Sequence, residues 1–285
     1  REKLDSFLLD QAINSGCNLL TNFNVVNIKK SSNIWQITSL DGRQIEAKAV
    51  VIADGSQSPW PKTFNLGPKK QKFASTFSGR IKRKGNLKNE TARFEFGLVK
   101  NGFAWAFPLK NEVNIGMGTF LENKNSMPVD EILKSFLPNL GLHPSEVIGQ
   151  ETKLRVWNGH SNLNGDGILL VGDAASLCDP FLAEGLRPAL MSGFEAASCL
   201  VSWLDGNVNT LDQYTKRMKK NWGNSMAWGK RISQAFYRFP RVGYQLGVKR
   251  PTAPERIAQI LSGQMSYEDI AKRVIKRLLF QSSTS

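Results

Sequence analysis

Cysteine, histidine and long apolar runs are scarce in this chain of 285 residues, and each shortage excludes something. Cys17, Cys178 and Cys199 are odd in number and show no Cys-x-x-Cys spacing, so neither a disulfide framework nor a zinc site is expected. His143 and His160 have no partners at metal-ligand spacing. No Ser/His/Asp or Cys/His arrangement stands out for nucleophilic catalysis. A bilayer span needs roughly 18 consecutive apolar residues, and no run approaches that. No signal peptide is visible. These gaps leave a soluble chain, 41% hydrophobic, with about two domains and a reducing, cytoplasmic setting as the expectation.

What is present concentrates between Gly167 and Gly193, GILLVGDAASLCDPFLAEGLRPALMSG. Ile168 to Val171 is a continuous apolar run, as in a strand buried on both faces. Gly172 lets backbone approach a ligand closely, and Asp173 offers a carboxylate to sugar-type hydroxyls. Beyond Pro180, residues from Glu184-Gly185-Leu186 onward repeat apolar positions at helical spacing through Ala189, Leu190, Gly193, Ala196 and Leu200. The free amides of such a helix start favour negative charge, as develops at one edge of a reduced flavin ring. A plain strand-turn-helix packing unit would show much of the same pattern. A second strand-like run, Ala49 to Ala53, ends in Asp54-Gly55-Ser56-Gln57-Ser58, where open α/β sheets bind ligands or simply turn.

Together, VVIADGSQS and LLVGDAASLCDPFLAEGLRPALMSG resemble the flavoprotein monooxygenase superfamily, and within it the geranylgeranyl reductase family. Arg1-Glu2-Lys3-Leu4-Asp5 is similar to that family's helix start, and Phe103-Ala104-Trp105-Ala106-Phe107-Pro108 to its aromatic-x-Trp-x-Phe-Pro strand. Ser176 and Ala183 stand where the family usually has Gly. The resemblance covers roughly residues 1 to 205. It implies FAD as cofactor, with NADPH or another electron donor, and hydride delivery to a carbon–carbon double bond of a geranylgeranyl or other polyprenyl chain. By the same resemblance Arg1, Val25, Asp54, Gly55, Gly172, Asp173, Pro180, Gly185 and Leu186 bind FAD, and Trp105, Phe107 and Pro108 face the substrate. No catalytic acid can be named. The family's Gly-x-Gly-x-x-Gly turn is absent, so the expectation is a chain that lacks the N-terminal dinucleotide-binding unit and binds FAD poorly alone. A flavin-dependent monooxygenase or halogenase, and a non-enzymatic membrane-binding fragment, remain as alternatives.

The expected fold class is α/β and α+β: an incomplete FAD-binding Rossmann-like domain (residues 1–72 and 158–205), an inserted antiparallel substrate-binding sheet (73–157) and a basic helical segment (206–285). Strand-like runs at Phe73–Arg83, Thr91–Gly97, Gly102–Lys110 and Glu112–Phe120, separated by turns such as Lys84-Gly85-Asn86, carry the sheet. Phe94, Phe96, Trp105 and Phe107 alternate across it, some toward a hydrophobic pocket and others toward plain core. Ser126-Met127-Pro128 precedes a short amphipathic helix, and Arg155 and Trp157 alternate with Leu154 and Val156 on a strand that one face brings near the flavin ring.

Net charge is uneven. Residues 213–285 hold 15 Lys and Arg against 3 Asp and Glu, which is +12 of the total +14. Thr210-Leu211-Asp212-Gln213 has the form of a capping box, with a long helix following through Tyr214, Met218 and Trp222 toward Phe236. Ser266-Tyr267-Glu268-Asp269 opens a last helix with Ile270, Val274 and Leu278 on one face and Lys272, Arg273, Lys276 and Arg277 on another. Such a helix suits an anionic membrane surface or a solvated flank of the core. No nucleic-acid motif accompanies the basic segment, so a nucleic-acid partner is not expected.

Overall fold

The computed structural model describes residues 2–82, 91–120 and 128–281. It divides into two compact units, Arg1–Val50 and Val51–Ser285. The first unit holds the helix α1 (Glu2–Asn14) and an antiparallel sheet of β1 (Val25–Ser31), β2 (Ile34–Ser39) and β3 (Gln44–Ala47) in that order. Ile28 and Trp35 are buried on this sheet, whereas α1 buries no residue.

The second unit opens within β4 (Val50–Ile52) and runs through the short helix α2 (Trp60–Thr63), then β5 (Lys72–Lys82), β6 (Arg93–Phe96), β7 (Gly102–Pro108) and β8 (Glu112–Thr119). It continues with α3 (Val129–Phe136), β9 (Ile148–Val156), β10 (Ile168–Leu170), α4 (Leu186–Leu204), α5 (Asp212–Met218), α6 (Asn224–Arg238), α7 (Pro240–Gly243), α8 (Ala253–Ser262) and α9 (Tyr267–Gln281). Strands β6-β7-β8-β5-β9 form one antiparallel sheet. Alternation decides its two faces. Ala104 and Ala106 of β7 and Val113, Ile115 and Met117 of β8 cluster with Ile132, Leu133 and Phe136 of α3. The intervening residues of β7, all aromatic, point the other way. The turn at Lys84-Gly85-Asn86 and the Ser126-Met127 pair lie outside the described residues.

Strands β4 and β10 form a separate two-stranded sheet. Ile168, Leu169 and Leu170 are buried as the continuous apolar run requires. The Ala49–Ala53 run departs from full burial: Ile52 is buried, but Val51 is 41% exposed and Ala53 is exposed. Among the described residues β4 has β10 as its strand partner, and the face of β4 that carries Val51 meets solvent.

Helices α5 and α6 join through one π-helical turn, Lys219–Gly223, into a continuous rod. Tyr214, Met218, Trp222 and Met226 recur every four residues along it and are all buried. The expected capping box at Thr210 does not form. Leu211, itself buried, takes the N-cap position without a side-chain bond, and Asp212 instead accepts a hydrogen bond from Asn164 at 3.2 Å. The equivalent box at α9 is made: Asp269 N–H donates to Ser266 Oγ (3.1 Å) and Ser266 N–H to Asp269 Oδ2 (3.0 Å). Among the described side chains of α9, Tyr267 and Ala271 are buried and Ile270 is half-buried. A Cβ added at Gly229 of α6 would stand 2.7 Å from the Tyr267 ring, so the glycine makes room for it. The side chains of Val274 and Leu278 lie outside the described residues.

Candidate cofactor site

Val171 N–H donates to Ile52 O at 3.0 Å, which sets the ends of β4 and β10 side by side. Asp54-Gly55 and Gly172-Asp173 therefore leave the sheet together. Gly172 turns with φ +55°, and an added Cβ would lie 3.2 Å from that of Ala189, so the crossing with α4 needs glycine. Its amide donates to Ser192 Oγ of α4 at 2.9 Å. After one 3-10 turn (Gly172–Ala175) the chain enters a closed loop in which Asp179 N–H bonds Glu184 O at 2.9 Å.

That loop delivers Gly185 to the N-cap position of α4. Of the amides at the helix start, Arg187 donates to Glu184 Oε1 at 2.7 Å and Pro188 has none to give. The Gly185 and Leu186 amides precede the first intrahelical bond, Ala189 N–H to Gly185 O. A Cβ on Gly185 would be 3.3 Å from Asp173 Oδ1, so the carboxylate, the glycine and the helix start share one small space. This is the donor-and-acceptor set that a ribityl chain and a flavin edge would meet, and the residues present fit that group.

Arg155 of β9 joins the two loops. It is 3% exposed, donates from Nη2 to Ser58 O at 2.8 Å and from Nη1 to Ala174 O at 3.3 Å, and lies over the Phe73 ring. Burial pushes its pKa down from the ordinary value, and the carboxylates of Asp54 and Asp173 oppose that shift. Ser56 Oγ donates to Lys153 O at 2.7 Å, a second tie between the first loop and β9. The sequence placed Arg155 on a strand with one face near the flavin ring; its bridging role comes only from tertiary structure.

Asp179 is 1% exposed and accepts from Phe181 N–H (2.7 Å), Leu182 N–H (3.0 Å) and, across 88 residues, the Tyr267 hydroxyl of α9 (2.7 Å). Burial raises its pKa against the pull of these bonds. Burial also drives the Cys178 thiol well above its usual range, as for a small core residue and unlike a reactive thiolate. Pro180, directly after Asp179, is buried.

The aromatic face of the sheet abuts this loop. Phe103, Trp105 and Phe107 line one side of β7 and, with Phe94 and Phe96 of β6, form one ring cluster. All of these aromatics share a face. Phe103 packs in a group with Cys178, and Trp105, Ala183 and Tyr237 border it. Trp105 pairs in register with Gly116 and Phe103 with Gly118. A Cβ on Gly116 would fall 2.0 Å from the Trp105 ring, so this glycine, missed in the sequence, makes the indole's seat. Trp105 Nε1 donates to Asn114 Oδ1 at 2.9 Å. Phe107 and Pro108 are half-buried.

Asp54, Gly55, Gly172, Asp173, Pro180, Gly185 and Leu186 thus lie in the second unit around these loops, and Trp105, Phe107 and Pro108 lie on its sheet. Val25 belongs to β1 of the first unit, and Arg1 lies outside the described residues. No helix among the described residues is long and apolar enough to cross a membrane.

No protein-family model matches the chain. The digeranylgeranylglycerophospholipid reductase of Methanocaldococcus jannaschii is 26% identical over 77% of this chain and 59% of its own length. The menaquinone reductase of Mycobacterium tuberculosis is 28% identical over 71% of this chain and 53% of its own. The chain therefore spans little more than half the length of these relatives. A geranylgeranyl bacteriochlorophyll reductase-like protein from Thermoplasma acidophilum superposes with a TM-score of 0.70, at 21% identity, over 83% of this chain and 63% of that one. Motifs, fold and relatives agree in likeness: the chain is similar in sequence and fold to geranylgeranyl reductase-like proteins.

Proposed function

We propose that the protein to which this chain belongs uses FAD to reduce carbon–carbon double bonds of a geranylgeranyl or other polyprenyl chain. The observation that carries this reading is the pair of loops joined by Arg155 beside an all-aromatic sheet face. When bound there and reduced by NADPH or another donor, FAD would supply hydride to one carbon of the alkene, and a proton from solvent would complete saturation at the other. The chain's own residues do the rest. Asp173 accepts hydrogen bonds from the ribityl hydroxyls, and Asp54 and Gly55 meet the cofactor from the neighbouring strand end. The Gly185 and Leu186 amides stabilise the negative charge that builds on the flavin edge after reduction. Trp105 and Phe107 present an apolar wall that excludes water from the reacting carbons, and Pro108 ends their strand.

A cavity of about 710 Å³ opens between the β6–β7 connection and the α6–α7 corner, walled by Phe96, Val99, Phe236 and Tyr237. Its volume and apolar wall suit a chain of isoprene units better than a compact aromatic substrate. The test is anaerobic turnover by the full-length protein. Loss of alkene signals with reduced FAD in the absence of oxygen is the expected result. Product that forms only with oxygen, hydroxylated or halogenated, would overturn it.

A further inference from the structure

The basic segment carries a feature that the motifs do not explain. From Gln213 to Pro254 there are 42 residues with 10 Lys and Arg and not one Asp or Glu. Within that stretch the corner where α6 ends and α7 begins turns large apolar groups outward. Phe239 is 57% exposed, Val242 54% and Tyr244 47%, and Arg238 and Arg241 are exposed among them. Solvated corners rarely present three such side chains in six residues without cause. Arg238, Arg241 and Tyr244 also line the 710 Å³ cavity, together with Lys100 from the sheet side, and among the described residues no carboxylate lines it.

We infer that the α6–α7 corner is a membrane-docking surface: Phe239, Val242 and Tyr244 enter an anionic lipid surface while Arg238 and Arg241 meet its phosphates, and the cavity mouth opens at that surface. Apolar rings flanked by arginines match the acyl-to-headgroup boundary, where the rings lose water and the cations gain anions. A nucleic acid would use the charge but would leave Val242 unexplained. The last helix is the competing membrane face. Its Lys272 is engaged in an ion pair with Glu268 at 2.8 Å, and Tyr267 and Ala271 near its start turn to the core. That the cavity behind the corner takes a polyprenyl chain rests on the function proposed above; the docking surface itself does not.

Sedimentation of the 285-residue chain with phosphatidylglycerol-containing and pure phosphatidylcholine vesicles tests it. The expected result is partitioning onto the anionic vesicles, reduced on the order of tenfold or more by Arg238→Glu with Arg241→Glu. Phe239→Ser with Val242→Ser should cause a comparable loss that persists at high salt, where the charge term is screened. Lys272→Glu with Lys276→Glu on α9 should change binding by less than about twofold. Because exposed positions are changed, thermal melts should stay near wild type. As a second readout, Val242→Trp should add fluorescence quenched by brominated acyl chains, and Ile275→Trp should not. Unchanged binding by both corner double variants, loss confined to the α9 variant, or retention on duplex DNA with no vesicle binding would overturn the inference. None of these readouts uses flavin or alkene. Vesicle binding without alkene reduction by the full-length protein would leave the surface and remove the function, and reduction without vesicle binding would do the reverse.

Discussion

The α3 side of the five-stranded sheet and the loop region from Gly172 to Leu186 are both buried, yet they are built from opposite materials. Under α3 the contacts are aliphatic side chains with Met117, Phe77 and Phe136, and the cluster holds no charged residue. Around the loop, burial encloses Arg155, Asp179 and Ser176, and two residues other than glycine hold left-handed backbone, Ser176 (φ 58°) and the half-buried Ala183 (φ 56°). The first region gains stability from burial; the second retains polar groups and strain that a fold alone would shed. The largest expected effect therefore belongs to the first. Phe136→Ala should lower unfolding free energy by about 3–5 kcal/mol, read as a shift in urea midpoint, and leave the full-length protein's affinity for FAD unchanged in whatever fraction remains folded. A fall in FAD affinity of the folded fraction would mean the two regions are not separable.

The two regions also differ in how much of them could be read beforehand. Period-two alternation of β5, β7 and β8 and the helical spacing of α3 and α4 are local, so sequence suffices for them. The loop's chemistry is spread over distance: Arg155 reaches Ser58 across 97 residues and Tyr267 reaches Asp179 across 88, and no spacing rule predicts such pairs. Gly116 is an intermediate case. It stands opposite Trp105 in the hairpin β7–β8, and counting back from the turn would have found it. The misread cap at Thr210 has a different cause, since the burial of Leu211 outweighed a local hydrogen bond worth about 1 kcal/mol.

On the loop side the largest effect is expected at Arg155. Arg155→Met keeps the stem over Phe73 but leaves Ser58 O and Ala174 O without their donor, at a cost of about 2 kcal/mol. Arg155→Lys retains the charge between Asp54 and Asp173 but cannot fork to two carbonyls. In the full-length protein Met should weaken FAD binding more than Lys, by fluorescence titration. Equal loss from both would assign the residue to geometry alone.

Asp179 should announce itself through pH and not through a single free energy. Its folded pKa lies above the ordinary carboxylate value. The folded state therefore holds the proton more tightly than the unfolded chain, and that contribution is fully present below the ordinary value. It is lost as pH rises through the raised pKa. Asp179→Asn can still accept from Phe181 and Leu182 N–H but cannot ionise. Urea midpoints of wild type and variant, followed upward from about pH 4, should diverge in favour of the variant and then run parallel. A wild-type advantage that grows with pH would show that the Tyr267 and amide bonds outweigh burial.

The smallest effects test whether the strain at Ser176 and Ala183 is real, and they run in the stabilising direction. A left-handed residue with a Cβ costs roughly 1–2 kcal/mol, whereas glycine pays about 0.4–1 kcal/mol through the unfolded chain. At Ser176 the hydroxyl is also buried without a partner among the described residues, so Ser176→Gly removes two penalties and should add about 1 kcal/mol. Ala183→Gly removes one penalty and some packing against the aromatic cluster, which leaves a gain of about 0.5 kcal/mol. The α3 side has no described residue of this kind, so a glycine there, as in Ala104→Gly, should only destabilise. If both loop substitutions also destabilised, the side chains would be contributing contacts that exceed the backbone penalty. The contrast between a strained loop and a relaxed sheet would then have to be abandoned in favour of two regions equally well packed.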